Sequence, residues 1–262
     1  ILAGGGGTDT VAVTLTAANM TAVANTNGMS RIEKITFAGS GALTANVAIN
    51  NGTFVTEIIA GVLYTVVGDV DASAMVGTGA LTFNGALETD SKINITGGRG
   101  ADILTGGSKA DTIIGGYGAD NITGGPGIDN LSGGAGGDTF TIATKANFTL
   151  LTTAETVSGG SGSDTIDITD ATGVSITAAD LINISSVEKI EFGGAGDDSI
   201  VLSDQVFTGN GATSIKIENS AAGTMTVNAA GVSATNSVNY AYDGAAANIA
   251  VVDTVTGGSG ND

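Results

Sequence analysis

The sequence predicts an all-β chain, a parallel β-roll set within a β-solenoid or stacked β-sheet, with very little helix. Three observations predict it. Residues 97–141 are five tandem nine-residue units, GGRGADILT, GGSKADTII, GGYGADNIT, GGPGIDNLS and GGAGGDTFT. Glycine numbers 43 while aromatics are only 4%, so any core is built from small parts. Outside the units, Val, Ile, Thr and Ala gather in short runs broken by glycine and asparagine, the composition of short strands rather than of helices.

Each unit reads G-G-x-G-x-D-x-U-x, with U a large apolar residue. The first six residues suit a turn, because glycine reaches positive φ at no steric cost and lets carbonyls converge. The last three suit a short strand whose middle side chain points inward: Leu104, Ile113, Ile122, Leu131 and Phe140. A flexible linker needs no such phased apolar position. Two units make one coil, so Asp102, Asp120 and Asp138 line one edge and Asp111 and Asp129 the other. With strands about 4.8 Å apart, adjacent carboxylates repel by roughly 3 to 4 kcal/mol per pair at an effective dielectric near 20. A hard dication with oxygen ligands reverses the sign of that interaction, and calcium tolerates an irregular cage of carbonyls and carboxylates.

The strands expected before the roll are Ala45 to Ile49, Val62 to Val67, Ala80 to Phe83 and Lys92 to Ile95, with Ile95 capping the apolar stack. After it come Ser214 to Ile217, Thr224 to Val227, Val238 to Tyr242 and Ile249 to Val252. Thr177 to Leu181 reads as an N-capped helical turn. An internal repeat ties the two halves together. GGGGTDTV at Gly4 recurs as GGSGSDTI at Gly159, 155 residues on, and Ile32-Glu33-Lys34-Ile35 recurs at the same offset as Val187-Glu188-Lys189-Ile190. We therefore expect three segments: 1-96, a first glycine–aspartate turn module with solenoid strands; 97-141, the roll; and 142-262, a second such module ending in a half turn. That last half turn, GGSGND, continues in phase into ILAGGGGTD at the beginning, so a tandem array or head-to-tail contact between copies is expected.

Twenty-six acids against eight bases give a net charge of −18. Such a surface repels nucleic acid and anionic membranes, so neither is an expected partner, and no apolar stretch is long enough for a membrane-spanning helix. With no cysteine and no histidine, disulfides, thiol chemistry, the usual zinc ligand and the usual general base are all missing. No catalytic motif appears either, so we expect no enzyme in this segment. The chain does not begin with Met and opens on no signal-peptide pattern, which reads as a segment of something longer.

The nonapeptides resemble the RTX repeats of bacterial secreted proteins, among them toxins, proteases, lipases, giant adhesins and some S-layer proteins. The resemblance implies several calcium ions, each between two turns one coil apart. The earlier turn gives its second and fourth carbonyls and its aspartate; the later gives its first and third carbonyls and its aspartate. One implied site is Gly98, Gly100 and Asp102 with Gly115, Tyr117 and Asp120. A second is Gly116, Gly118 and Asp120 with Gly133, Ala135 and Asp138. The third is Gly107, Lys109 and Asp111 with Gly124, Pro126 and Asp129, where Lys109 departs from the pattern and brings a cation towards the metal. The isolated turns add Asp9, Asp164, Asp198 and Asp262, each borrowing ligands from a non-repeat loop; Asp167, Asp170, Asp197 and Asp204 lie nearby, and Asp69 and Asp71 read as acids of a surface turn. The resemblance further implies a secreted, extracellular or cell-surface protein on the type I route. The expected role is a calcium-dependent structural module of a surface layer, fibre or adhesin. Copies of itself, and cell-surface polysaccharide, are its expected partners. The alternative is the folding and secretion region of an enzyme or toxin.

Overall fold

A computed structural model describes residues 67–144, 155–207, 213–220, 223–242 and 254–259, together with separate strands within 2–64. The chain divides into two units, Ile1–Asp138 and Thr139–Asp262.

In the first unit the chain alternates between two parallel sheets. Thr10–Thr14, Lys34–Ser40, Val67–Val76, Lys92–Thr96, Thr112–Tyr117 and Asn130–Ala135 neighbour one another in one; Thr21–Asn25, Thr44–Asn50, Ala80–Leu87, Ile103–Thr105 and Asn121–Thr123 do so in the other. The register places like residues above like. In one sheet a column runs Ile35, Val70, Ile95, Ile113, Leu131; in the other Phe83 stacks on Leu104 and Leu104 on Ile122. These side chains are buried. At about 25 cal/mol per Å² such columns stabilise a solenoid coil by coil rather than through one central core. The apolar stack does not end at Ile95, because Val70 and Ile35 continue it. Val67–Val76 is a ten-residue strand where sequence reading saw a turn, and Asp69 and Asp71 stand on it. Asp71 pairs with Lys34 at 3.2 Å, and Asp69 accepts from the Asn94 amide at 2.8 Å. Val62–Tyr64 is a separate short strand, antiparallel to Glu57–Ile59.

The second unit has wider coils. Thr139–Ile142, Thr165–Ile168, Lys189–Phe192, Ser214–Asn219 and Ser237–Tyr242 run parallel in one sheet, with Phe140, Ile166, Ile190 and Ile217 in one buried column. Ser175–Ile176, Asp198–Ser203, Met225–Gly231 and Thr254–Thr256 form another sheet. Ala178–Leu181 is a short 3-10 helix with a Thr177/Asp180 capping box, the helical turn expected there. The internal repeat is structural as well: Thr10 pairs with Lys34 and Val11 with Ile35, just as Thr165 pairs with Lys189 and Ile166 with Ile190. The expected strand Ile249 to Val252 lies outside the described residues.

Candidate metal centre

In the roll, the strand register of 18 residues brings each aspartate beneath its counterpart one coil later. Asp102 N–H donates to Asp120 Oδ1 at 2.8 Å, Asp120 N–H to Asp138 Oδ1 at 2.9 Å, and Asp111 N–H to Asp129 Oδ1 at 2.8 Å. The ladders reach one coil back, where Leu81 N–H donates to Asp102 and Ile93 N–H to Asp111. One oxygen of each carboxylate thus closes a backbone amide. The second oxygen is used unevenly. Asp102 Oδ2 accepts from Gly98 N–H and Asp111 Oδ2 from Gly107 N–H, whereas Asp120 Oδ2 and Asp129 Oδ2 are buried with no donor.

An ionised oxygen buried without a donor is costly, and the acidities respond. Burial pushes Asp102 and Asp111 up to about 6, and Asp120 and Asp129 to about 7. The neighbouring carboxylates of Asp102 and Asp138 add to the rise at Asp120, and burial raises Asp138.

The turn glycines leave a cradle beside these oxygens. A Cβ at Gly97 would collide with Asp102 Oδ2 and the Gly115 carbonyl oxygen; at Gly106 it would meet Asp111 Oδ2 and the Gly124 carbonyl; at Gly115, Asp120 Oδ2 and the Gly133 carbonyl. In each case the earlier aspartate and the later turn's first carbonyl converge on one spot, as the three implied sites require. Gly100, Lys109, Gly116 and Gly118 likewise present carbonyls to the turn one coil on. Gly98 and Ala135 carbonyls accept from Tyr117 N–H and Gly118 N–H and keep a second lone pair. Among the described residues no three acidic side chains converge on one point. The donor set is therefore carboxylates completed by backbone carbonyls, all oxygen, and it fits a hard cation of calcium's size and tolerance.

Lys109 does not behave as expected. Its side chain is exposed, and its φ is not positive, since Ser186 at 53° is the one non-glycine in that region among the described residues. The second and fourth glycines of the later turns, such as Gly116 and Gly118, do take positive φ. The turn at Gly106–Asp111 has a different backbone that accommodates lysine. The cation felt by Asp111 is Lys92.

Asp164 and Asp198 are not brought together. Asp164 is buried, and its N–H donates to Glu188 Oε2 at 2.8 Å, 24 residues on. A Cβ at Gly159 would meet Asp164 Oδ2 and the Ser186 carbonyl. Ser186 and Glu188 therefore take the places that the next turn's glycine carbonyl and aspartate hold in the roll. Glu188 was missed because its coil is longer. The signal was present: Glu33 follows Asp9 by the same interval. Asp198 belongs to another sheet, where its Oδ1 accepts from Val174 N–H and burial pushes it up to about 6. Asp170 closes its own loop onto Thr172. Asp197 and Asp204 bind Thr224, Ser233 and Asn236, and those hydrogen bonds lower both acids. Burial raises Asp167. Asp9 and Asp262 lie outside the described residues.

The RTX calcium-binding nonapeptide repeat, as a family model, matches residues 96–131, 123–141, 152–167 and 252–262. These repeats and the parallel β-solenoid together support an RTX β-roll protein. No curated protein and no solved structure matches it. In the RTX roll the nonapeptides are calcium-binding units, and the cradles above are where Asp102, Asp111 and Asp120 would hold the ion with the carbonyls facing them. Calcium supplies the positive charge that the two donor-free oxygens lack.

Proposed function

We propose that this chain is a calcium-dependent, secreted structural module of a bacterial surface layer, extracellular fibre or giant adhesin, associating with copies of itself. The observation that carries the reading is the pair of buried aspartate ladders, with Asp120 Oδ2 and Asp129 Oδ2 left without donors. A fold that buries carboxylates in this way is weak where calcium is scarce and firm where it is plentiful. Extracellular calcium sites have dissociation constants of about 0.1 to 1 mM. At ten times that concentration each adds roughly 1.4 kcal/mol, so several sites rival much of an ordinary domain's margin of about 5 to 15 kcal/mol. The same strand register in both copies of the internal repeat supports an architectural role, since solenoids grow by repeating nearest-neighbour contacts. No histidine or cysteine is available for chemistry, and we assign the chain no catalysis.

Circular dichroism across a calcium titration, followed by sedimentation and electron microscopy of the calcium form, tests the reading. The expected result is β-structure gained at millimolar calcium and ordered assemblies thereafter. An unchanged spectrum sinks calcium-driven folding. A folded but dispersed monomer sinks the assembly role and favours the folding and secretion region of a longer enzyme or toxin.

A further inference from the structure

The turn 85–91 lies outside every nonapeptide, yet it stacks on the roll as though it were one. Ser108 N–H donates to the Glu88 carbonyl at 2.9 Å, as Tyr117 N–H does to Gly98 one edge away. A Cβ at Gly107 would stand 2.7 Å from the Glu88 carbonyl oxygen. A Cβ at Gly85 would lie 3.0 and 3.2 Å from the carbonyl oxygens of Thr105 and Gly106. The turn is therefore the coil before Gly106–Asp111 on the Asp111/Asp129 edge. Its aspartate position is taken by Ile93, whose amide Asp111 closes, so this coil lacks the acid that every later one has.

An acid is present all the same. Glu88 is fully buried. Its Oε1 accepts long bonds from Asp90 N–H at 3.3 Å and Ser91 N–H at 3.2 Å, and no donor reaches Oε2. The exposed Asp90 carboxyl lies within hydrogen-bonding reach of the Glu88 carboxyl. Two acids in contact, one of them dry, are held together by a shared proton or by a bound cation. The only neighbours named above that could join them as ligands are oxygens, which selects a hard dication.

We propose that the turn 85–91 is a further calcium site, with Glu88 Oε2 and the Asp90 carboxylate as its acidic ligands, so that the calcium ladder begins one coil before the first nonapeptide. The site uses the same ion as the repeats but none of their motif residues.

Counting bound calcium on the full chain by equilibrium dialysis tests it. Glu88→Gln is expected to bind one ion fewer than the unaltered chain, and Asp90→Asn to weaken one equivalent at least tenfold. Glu191→Gln, on the outer ion-pair face of the second unit, is expected to leave the count unchanged. A full count with unaltered affinities in both Glu88→Gln and Asp90→Asn overturns the proposal and leaves Glu88 a buried protonated acid, while the repeat sites stand. If Glu88→Gln does not fold, Asp90→Asn, a change at an exposed side chain, decides by the same count. An unaltered chain that binds no calcium overturns this site and the repeat sites together.

Discussion

The roll and the second unit reach the same parallel architecture by opposite electrostatic routes. In the roll, coils of 18 residues stack identical aspartates and bury them. In the second unit, coils of about 24 to 27 residues bury Asp164 and Asp198 but also carry a face of paired charges. There Lys189 and Lys216 stand in one column and Asp167, Glu191 and Glu218 in another. Lys189 bridges Glu191 at 2.7 Å and Glu218 at 3.3 Å, and Lys216 bridges Glu218 at 2.9 Å. That face of the second unit supplies its own counter-charge from the chain; the roll leaves that role to an ion. Cation dependence should follow where the counter-charge comes from, not where the acids are.

Calcium withdrawal should break the comparison most visibly. Amide hydrogen exchange in excess chelator is expected to lose protection across 97–138, while 189–219 keeps most of its own; equal loss in both regions would count against the distinction. Next in size is Asp120→Asn, which removes an acid shared by two implied sites. We expect it to destabilise the calcium form by about 3 kcal/mol and to move the midpoint of a calcium-dependent melt, whereas Glu191→Gln moves neither. Gly136→Ala should cost about 2 kcal/mol or more at saturating calcium, because φ is +142° there and the new Cβ would strike the Gly118 carbonyl. A denaturant melt in calcium checks this, and an unchanged midpoint contradicts the turn geometry.

Proton binding gives a fourth, smaller contrast. The roll aspartates have folded-state pKa values raised to about 6 and 7, above the roughly 3.9 of an unfolded chain. The folded state therefore binds these protons more tightly. Their contribution is full below about pH 4 and is lost as pH rises through 6 and 7. Without calcium the roll should melt higher at pH 5 than at pH 7.5, and saturating calcium should shrink or reverse that difference. Lys189 is raised as well, by its partners Glu191 and Glu218, but being a cation it keeps its charge throughout this range.

The roll was legible because every physical requirement of its coil falls at a fixed position in nine residues: glycine for the turn, aspartate for the edge, one apolar side chain for the column. Two units per coil, the two edges and the inward residues all followed. Legibility fell where coil length varied. Glu188 stands in for an aspartate in a 24-residue coil, and Glu88 sits at a carbonyl position rather than an acid position; neither has a motif to announce it. Asp69 and Asp71 were read as turn acids because a glycine precedes them, yet their alternation with Val70 marks a strand once Lys34 and Asn94 are seen beside it. Lys109 can depart from the motif because the turn at Gly106–Asp111 does not repeat the backbone of the later turns.

The aspartate ladder is also directional. The amide of Asp102 is closed by a residue 18 positions downstream, and that of Asp120 by the next one after it. No coil can finish itself; its last bond waits for chain that follows it in sequence. The side-chain ladder thus ties each coil to the one after it, while backbone bonds such as Tyr117 N–H to Gly98 and Asn121 N–H to Asp102 tie each coil to the one before. Shortening the roll from its downstream end should then free the aspartate-closed amides in succession, whereas trimming upstream frees a different set, such as those of Tyr117 and Asn121, which Gly98 and Asp102 close.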